Sequence, residues 1–184
     1  MLSTQSKYFL AVIPPEPILS EVGNIKAHFR DQYNCKAPLR SPAHITLHMP
    51  FLFKQKKESK MIDTLVQASK NYKSFNIQLE DFGAYPPRVI FVNVNPNLQL
   101  MEMQKDLEGV AKRELHLFNA NRLDYPYSPH MTVAFRDLKK DFFTAAWKEF
   151  EPRHYSQTFE VNAFYLLKHN GKEWEIYKRF DFGK

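Results

Sequence analysis

PAHITLHMPF, residues 42–51, and PHMTVAF, residues 129–135, decide the reading of this chain. Each contains His-x-Thr followed by an aliphatic residue: His44-Ile45-Thr46-Leu47 and His130-Met131-Thr132-Val133. Prolines beside both motifs and the β-rich composition predict strands at 43–49 and 130–135 rather than helices. Side chains at i and i+2 of a strand share a face. Each motif therefore sets an imidazole beside a hydroxyl while its apolar residues turn to the core.

The same series of elements surrounds both motifs. An apolar run at 7–13 ends at Pro14 and Pro15 and reads as a strand. Ile18, Val22, Ile25 and Phe29 then recur at helical spacing, to about residue 33. After the first motif, Ser59 can cap a helix to about residue 70, and Phe75, Ile77 and Leu79 alternate as a half-buried strand. The second series runs through a strand at 89–94, a helix from 97 that gives way at 119–121, the second motif, a helix at 141–150 and a strand at 159–167. A turn at Asn170-Gly171 and a strand at 173–180 close it. This predicts an α+β fold with two pseudo-symmetric lobes, each an antiparallel-rich sheet with helices on its outer face, around a central cleft bearing both His-x-Thr strands. The expectation is one bilobal domain, 1–184, with lobe-forming halves of approximately 1–85 and 86–184.

Composition narrows the class. Hydrophobic residues at 43% of a 184-residue chain support a packed core and argue against disorder. Lys and Arg number 26 against 20 for Asp and Glu, and the net charge of +6 favours anionic ligands. A single cysteine, Cys35, makes neither an internal disulfide nor a thiolate cluster, which fits a reducing compartment. The early apolar run is too short for a membrane span or a signal-peptide core, so the expected location is cytoplasmic.

Two imidazoles and two hydroxyls on facing strands suit phosphodiester chemistry without a metal. One neutral His takes a proton from the attacking oxygen, one protonated His gives a proton to the leaving oxygen, and the Thr hydroxyls bind phosphoryl oxygens. An ordinary His titrates near ~6.5, so both states are accessible around neutral pH. The motifs are chemically equivalent, and their residues leave the acid and base roles open.

On HITLHMPF at 44–51 and PHMTVAF at 129–135, helped by PPRVIFVNV at 86–94, the chain resembles the two-histidine (2H) phosphoesterase superfamily. That superfamily includes 2′,5′ RNA ligase-like proteins and cyclic nucleotide phosphodiesterases. The first motif departs from the commoner family form and looks like the subset with Pro-Phe after the aliphatic position. The resemblance implies His44 as proton donor, His130 as proton acceptor, and Thr46 and Thr132 as phosphate contacts. It also implies a nucleotide or RNA partner with a 2′,3′-cyclic phosphate or 2′,5′ linkage, opened to a monoester, with no metal and no cofactor; a monomer away from membranes is expected. Ligation is the same chemistry in reverse. A non-catalytic nucleotide- or RNA-binding module is the alternative from another class, though binding alone calls for Arg, Lys and aromatics rather than two titratable imidazoles. A metal-dependent hydrolase is weaker still, because no acidic cluster accompanies the histidines.

Further candidates flank the motifs. His48 continues the alternation from His44 and Thr46 and lines the same cleft if the strand stays regular. Arg88 and Arg136 could contact a phosphate, and Phe51, Tyr85, Tyr125 and Tyr127 could stack on a base. His28, His116, His154 and His169 have no repeated partner and read as surface or satisfied residues.

Overall fold

The computed structural model describes residues 4–118 and 126–183. Among these residues eight strands and four α-helices run β1 (Gln5–Val12), α1 (Ile18–Tyr33), β2 (Ile45–Lys54), α2 (Glu58–Ser69), β3 (Phe75–Tyr85), β4 (Val89–Val94), α3 (Leu98–Leu115), β5 (His130–Ala134), α4 (Lys140–Phe150), β6 (Ser156–Val161), β7 (Ala163–His169) and β8 (Trp174–Asp181). The strands form two antiparallel four-stranded sheets, ordered β2-β1-β7-β8 and β5-β4-β3-β6. The expected α+β architecture with two related sheets is therefore present, and the two motif strands occupy corresponding edges.

The sheets do not divide the chain at residue 85. β3 belongs to the second sheet, between β4 and β6, and the C-terminal β7 and β8 return to the first, beside β1. Periodicity fixes which face a strand buries, not which strand it joins. Phe75, Ile77 and Leu79 are buried as their alternation requires, opposite Val161, Phe159 and Gln157 of β6. The halves interlock further because α1 packs on β5 of the second sheet and α3 on β2 of the first. One large core results, with Phe29 of α1 stacked on Phe150 of α4, ring centroids 4.6 Å apart, and a smaller cluster of Phe9, Ala11, Ile13 and Leu167 lies apart from it.

Two local features differ from expectation for identifiable reasons. β2 runs on to Lys54 through Pro50, which an edge strand tolerates because one row of its N–H groups needs no partner. α2 begins at Glu58 without a side-chain cap, so Ser59 lies inside it, whereas Asn97 caps α3 by accepting a hydrogen bond from the Leu100 N–H at 2.8 Å. Among the described residues no helix is long and apolar enough to cross a membrane.

Candidate functional site

The two motif strands approach each other across a cleft between the sheets. His44, at the entry to β2, directs Nδ1 to the Pro42 carbonyl oxygen at 2.8 Å; His130, opening β5, directs Nδ1 to the Ser128 carbonyl oxygen, also at 2.8 Å. A carbonyl can only accept, so both rings carry their proton on Nδ1 when neutral and leave Nε2 for a substrate. Each ring also packs on a phenylalanine from the adjacent strand: Phe9 of β1 lies 4.9 Å from His44 and Phe91 of β4 lies 4.8 Å from His130, centroid to centroid. Thr46 and Thr132, two residues on, are half-buried and line one cavity of about 290 Å³ with His44.

Both strands bulge directly after the threonine. One step on β1, Leu10 to Ala11, spans His48 to Thr46 on β2; one step on β4, Ile90 to Phe91, spans Ala134 to Thr132 on β5. A bulge places two residues opposite one and ends the alternation. His48 is thereby paired with core-facing Leu10 and is 0% exposed, with Nδ1 2.8 Å from the Met49 carbonyl oxygen, so it does not line the cleft. Phe51 shares its fate: 4% exposed, it stacks on Tyr8 in the core, out of reach of a base.

The remaining candidates fall at varied depths. Arg136, at a positive φ of 60°, lines the cavity, while Arg88 is exposed in the β3–β4 turn. Tyr85 is 44% exposed, packs edge-on to His130 and shares a 2.9 Å hydrogen bond with the Ser128 hydroxyl. Tyr127 donates to the Thr46 carbonyl oxygen at 2.8 Å and so ties the loop before the second motif to the first motif strand. Tyr125 lies outside the described residues.

Sequence reasoning missed Lys7, Phe9, Arg40, His169 and Trp174, all of which line the cavity. His169, expected as a surface residue, pairs with Trp174 across β7 and β8, their rings 4.9 Å apart, and Lys7 sits over the indole. Strand register brings these three together, and no local pattern in the sequence announces it. Lys7, Arg40 and Arg136 give the cavity three cationic side chains, and among the described residues its lining contains no carboxylate. Its Arg40 and Arg136 walls are joined through Asp137, which accepts from the backbone N–H groups of Lys36 and Ala37 and, at 3.2 Å, from the Cys35 thiol. Burial first, and then that carboxylate, push the Cys35 thiol up to about 12, so it is no nucleophile at neutral pH.

Burial lowers both motif histidines. His44 is brought to about 4, by desolvation first and then by the charge of Lys26, with the Pro42 hydrogen bond opposing and His130 adding a smaller repulsion. His130 is lowered by desolvation, against the opposing Ser128 hydrogen bond. Among the described residues no three His, Cys, Asp or Glu side chains gather closely enough to hold a metal ion.

Residues 14–173 match the model of the 2′-5′ RNA ligase superfamily. The chain belongs to that family. A Bacillus licheniformis protein with a provisional phosphoesterase name is 26% identical over 182 residues, covering 96% of this chain and 99% of its own. Solved structures share the fold: a Thermus thermophilus protein, TT0787, at a TM-score of 0.68 and 18% identity, over 95% of this chain and 97% of its own. E. coli LigT in complex with 3′-AMP gives 0.64 at 18% identity, over 98% of this chain and the whole of its own. The family resemblance carried by the two His-x-Thr motifs is thus correct, and it extends across both sheets.

Proposed function

We propose that this member of the 2′-5′ RNA ligase superfamily is a phosphodiesterase that opens 2′,3′-cyclic phosphates, or cleaves 2′,5′ linkages, at nucleotide or RNA ends by two-histidine acid–base catalysis without a metal. The observation that carries the reading is the matched pair of half-sites: two histidines, each with Nδ1 committed to a carbonyl two residues back and Nε2 free, each followed by a threonine on the same face.

One imidazole takes a proton from water as its oxygen attacks phosphorus. The other gives a proton to the ribose oxygen as the P–O bond breaks, so a cyclic diester and water become a monoester and the two imidazoles have exchanged one proton. The Thr46 and Thr132 hydroxyls hydrogen-bond the non-bridging oxygens, and Lys7, Arg40 and Arg136 offset charge building on the phosphoryl group. A cavity of about 290 Å³ suits a nucleotide end better than a duplex. The 3′-AMP bound by LigT, a structural neighbour, is a nucleotide monoester of the kind this reaction releases.

The test is turnover of 2′,3′-cyclic nucleotides and a cyclic-phosphate-ended oligonucleotide in EDTA, beside His44→Ala and His130→Ala. Turnover by the wild type, lost on the order of 10²–10⁴-fold in each variant, supports the proposal. Nucleotide binding without turnover on any substrate overturns it in favour of a binding module.

A further inference from the structure

His169 closes β7 and Trp174 opens β8, and the register sets them opposite each other; the neighbouring Tyr8–Lys168 pair brings Lys7 of β1 beside His169. All three line the cavity, yet the two half-sites use neither ring. The turn between β7 and β8 fixes the imidazole. Gly171, at a φ of 103°, donates its N–H to His169 Nδ1 at 3.0 Å, while the Asn170 side chain accepts from the N–H groups of Lys172 and Glu173, each at 2.9 Å. A ring nitrogen that accepts carries no proton, so neutral His169 holds its proton on Nε2. That is the opposite tautomer to His44 and His130, whose Nδ1 atoms address carbonyl oxygens. His169 therefore offers a donor where each neutral motif histidine offers an acceptor.

The indole is already engaged by three neighbours. Phe9 meets it at 86° with centroids 4.7 Å apart, His169 at 79° and 4.9 Å, and the Lys7 ammonium lies over its ring at 5.8 Å. What remains unspent is polar: one fixed imidazole N–H, and a lysine that enters no ion pair among the described residues. A packing role alone, covering Phe9, would explain Trp174 but not an imidazole held with its donor free. A fixed donor beside an uncompensated cation suits an anion. Phe9 joins this place to the first half-site, with its ring 4.9 Å from that of His44. We infer that His169 and Lys7, held on Trp174, form a second anion subsite for a phosphate on the ribose 5′ oxygen of the nucleotide whose cyclic phosphate meets the two half-sites. This subsite rests on the phosphodiesterase reading, which supplies the first phosphate. Lys7 then serves two phosphoryl groups, the reacting one and its neighbour, and the favoured substrate carries a second phosphate beside the cyclic one.

Titration followed by imidazole ¹⁵N NMR tests the subsite without turnover. In the free protein neutral His169 is Nε2–H, and adenosine 3′,5′-bisphosphate shifts its Nε2 resonance far more than 3′-AMP does. The bisphosphate also binds on the order of 10-fold more tightly than 3′-AMP, the worth of one charge-assisted hydrogen bond. In His169→Phe, which keeps an aromatic ring against Trp174, and in Lys7→Met, that advantage falls several-fold. An Nδ1–H tautomer, or a His169 signal that the two ligands move alike, overturns the subsite. So does an advantage that persists in both variants, because the overall positive charge alone produces that.

Turnover identifies the source of the second phosphate. The substrates are adenosine 2′,3′-cyclic phosphate, its 5′-phosphorylated form, and the dinucleotide ApA with the same cyclic end. A gain in kcat/KM for both larger substrates, reduced in His169→Phe, shows a subsite for any phosphate on the 5′ oxygen. A gain for the 5′-phosphorylated form alone restricts the subsite to a terminal phosphate. No gain, or a gain for ApA alone, which the added nucleoside supplies, overturns it. A wild type that cleaves none of the three defeats the proposed function, and the NMR titration then decides by itself whether His169 and Lys7 take a second phosphate.

Discussion

The two half-sites are nearly superimposable in pattern and unlike in what stands behind them. From His44 to His48 and from His130 to Ala134 exposure follows one sequence: half-buried, buried, half-buried, buried, buried. Both imidazoles lean on a carbonyl two residues back, and both strands bulge after the threonine. Behind the Pro42 carbonyl that His44 addresses, however, lies the buried ammonium of Lys26, whereas Ser128, whose carbonyl His130 addresses, turns its hydroxyl to the exposed Tyr85. Repetition supplies two reactive groups of the same kind; catalysis by one acid and one base requires that something break the equivalence. One difference among the described residues sits outside the repeated motif, in α1.

The strongest way to break the comparison is to remove either imidazole. His44→Ala and His130→Ala are each expected to lower kcat/KM on a ribose cyclic phosphate on the order of 10²–10⁴-fold, with unchanged circular dichroism. The rate profile offers a related check. An acid–base pair must hold one proton between its two imidazoles, so with His44 at about 4 and His130 lowered from 6.5 kcat/KM for the free enzyme should be a bell with its maximum below pH 6.5. A flat profile from pH 4 to 9 would contradict this.

The burial of Lys26 has a sign that can be measured as stability. Its folded value of about 8 lies below the ordinary 10.5, so the unfolded chain binds more protons between these pH values. Stability against urea should therefore rise with pH from about 8 to 10.5, by up to about 3 kcal/mol from this group. Lys26→Met should abolish that rise; the same slope in wild type and variant would show that Lys26 is not the group responsible.

Smaller effects sharpen the likeness between the halves. Thr46→Val and Thr132→Val keep shape and remove the hydroxyl, and each should reduce kcat by about 10- to 10²-fold, in similar measure if the halves contact the phosphoryl group alike. The smallest effect belongs to the rim: Arg40→Ala and Arg136→Ala should raise KM a few-fold, less at high salt, because exposed cations are screened. A change confined to kcat would place those guanidinium groups closer to the reacting atoms.

Much of this was legible because it is written in short periods. The alternation in His-x-Thr, the helical spacing of Ile18, Val22 and Phe29, and the recurrence of the element series all lie within a few residues of one another, and the structure repeats them. What escaped was set by register and crossing. His48 required knowledge of a bulge, which inserts a residue without altering composition. Lys7, His169 and Trp174 meet only because β1, β7 and β8 align, and the division at residue 85 failed because strand partners are chosen over long range. Lys26 reads as an ordinary wet-face lysine on α1 until Ser41 and Pro42 fold over it.

The return of the chain's end to its beginning bears on the order of events during synthesis. β1 has β2 as a neighbour early, but its other edge stays open until residues 163–169 leave the ribosome. A nascent chain that already holds both His-x-Thr motifs thus still exposes an unsatisfied row of backbone groups on β1, the strand that carries Phe9 under His44. Truncation before β7 would leave every proposed catalytic residue in place on a chain with an adhesive strand edge, so loss of a few C-terminal strands should be felt as aggregation before it is felt as a defect in chemistry.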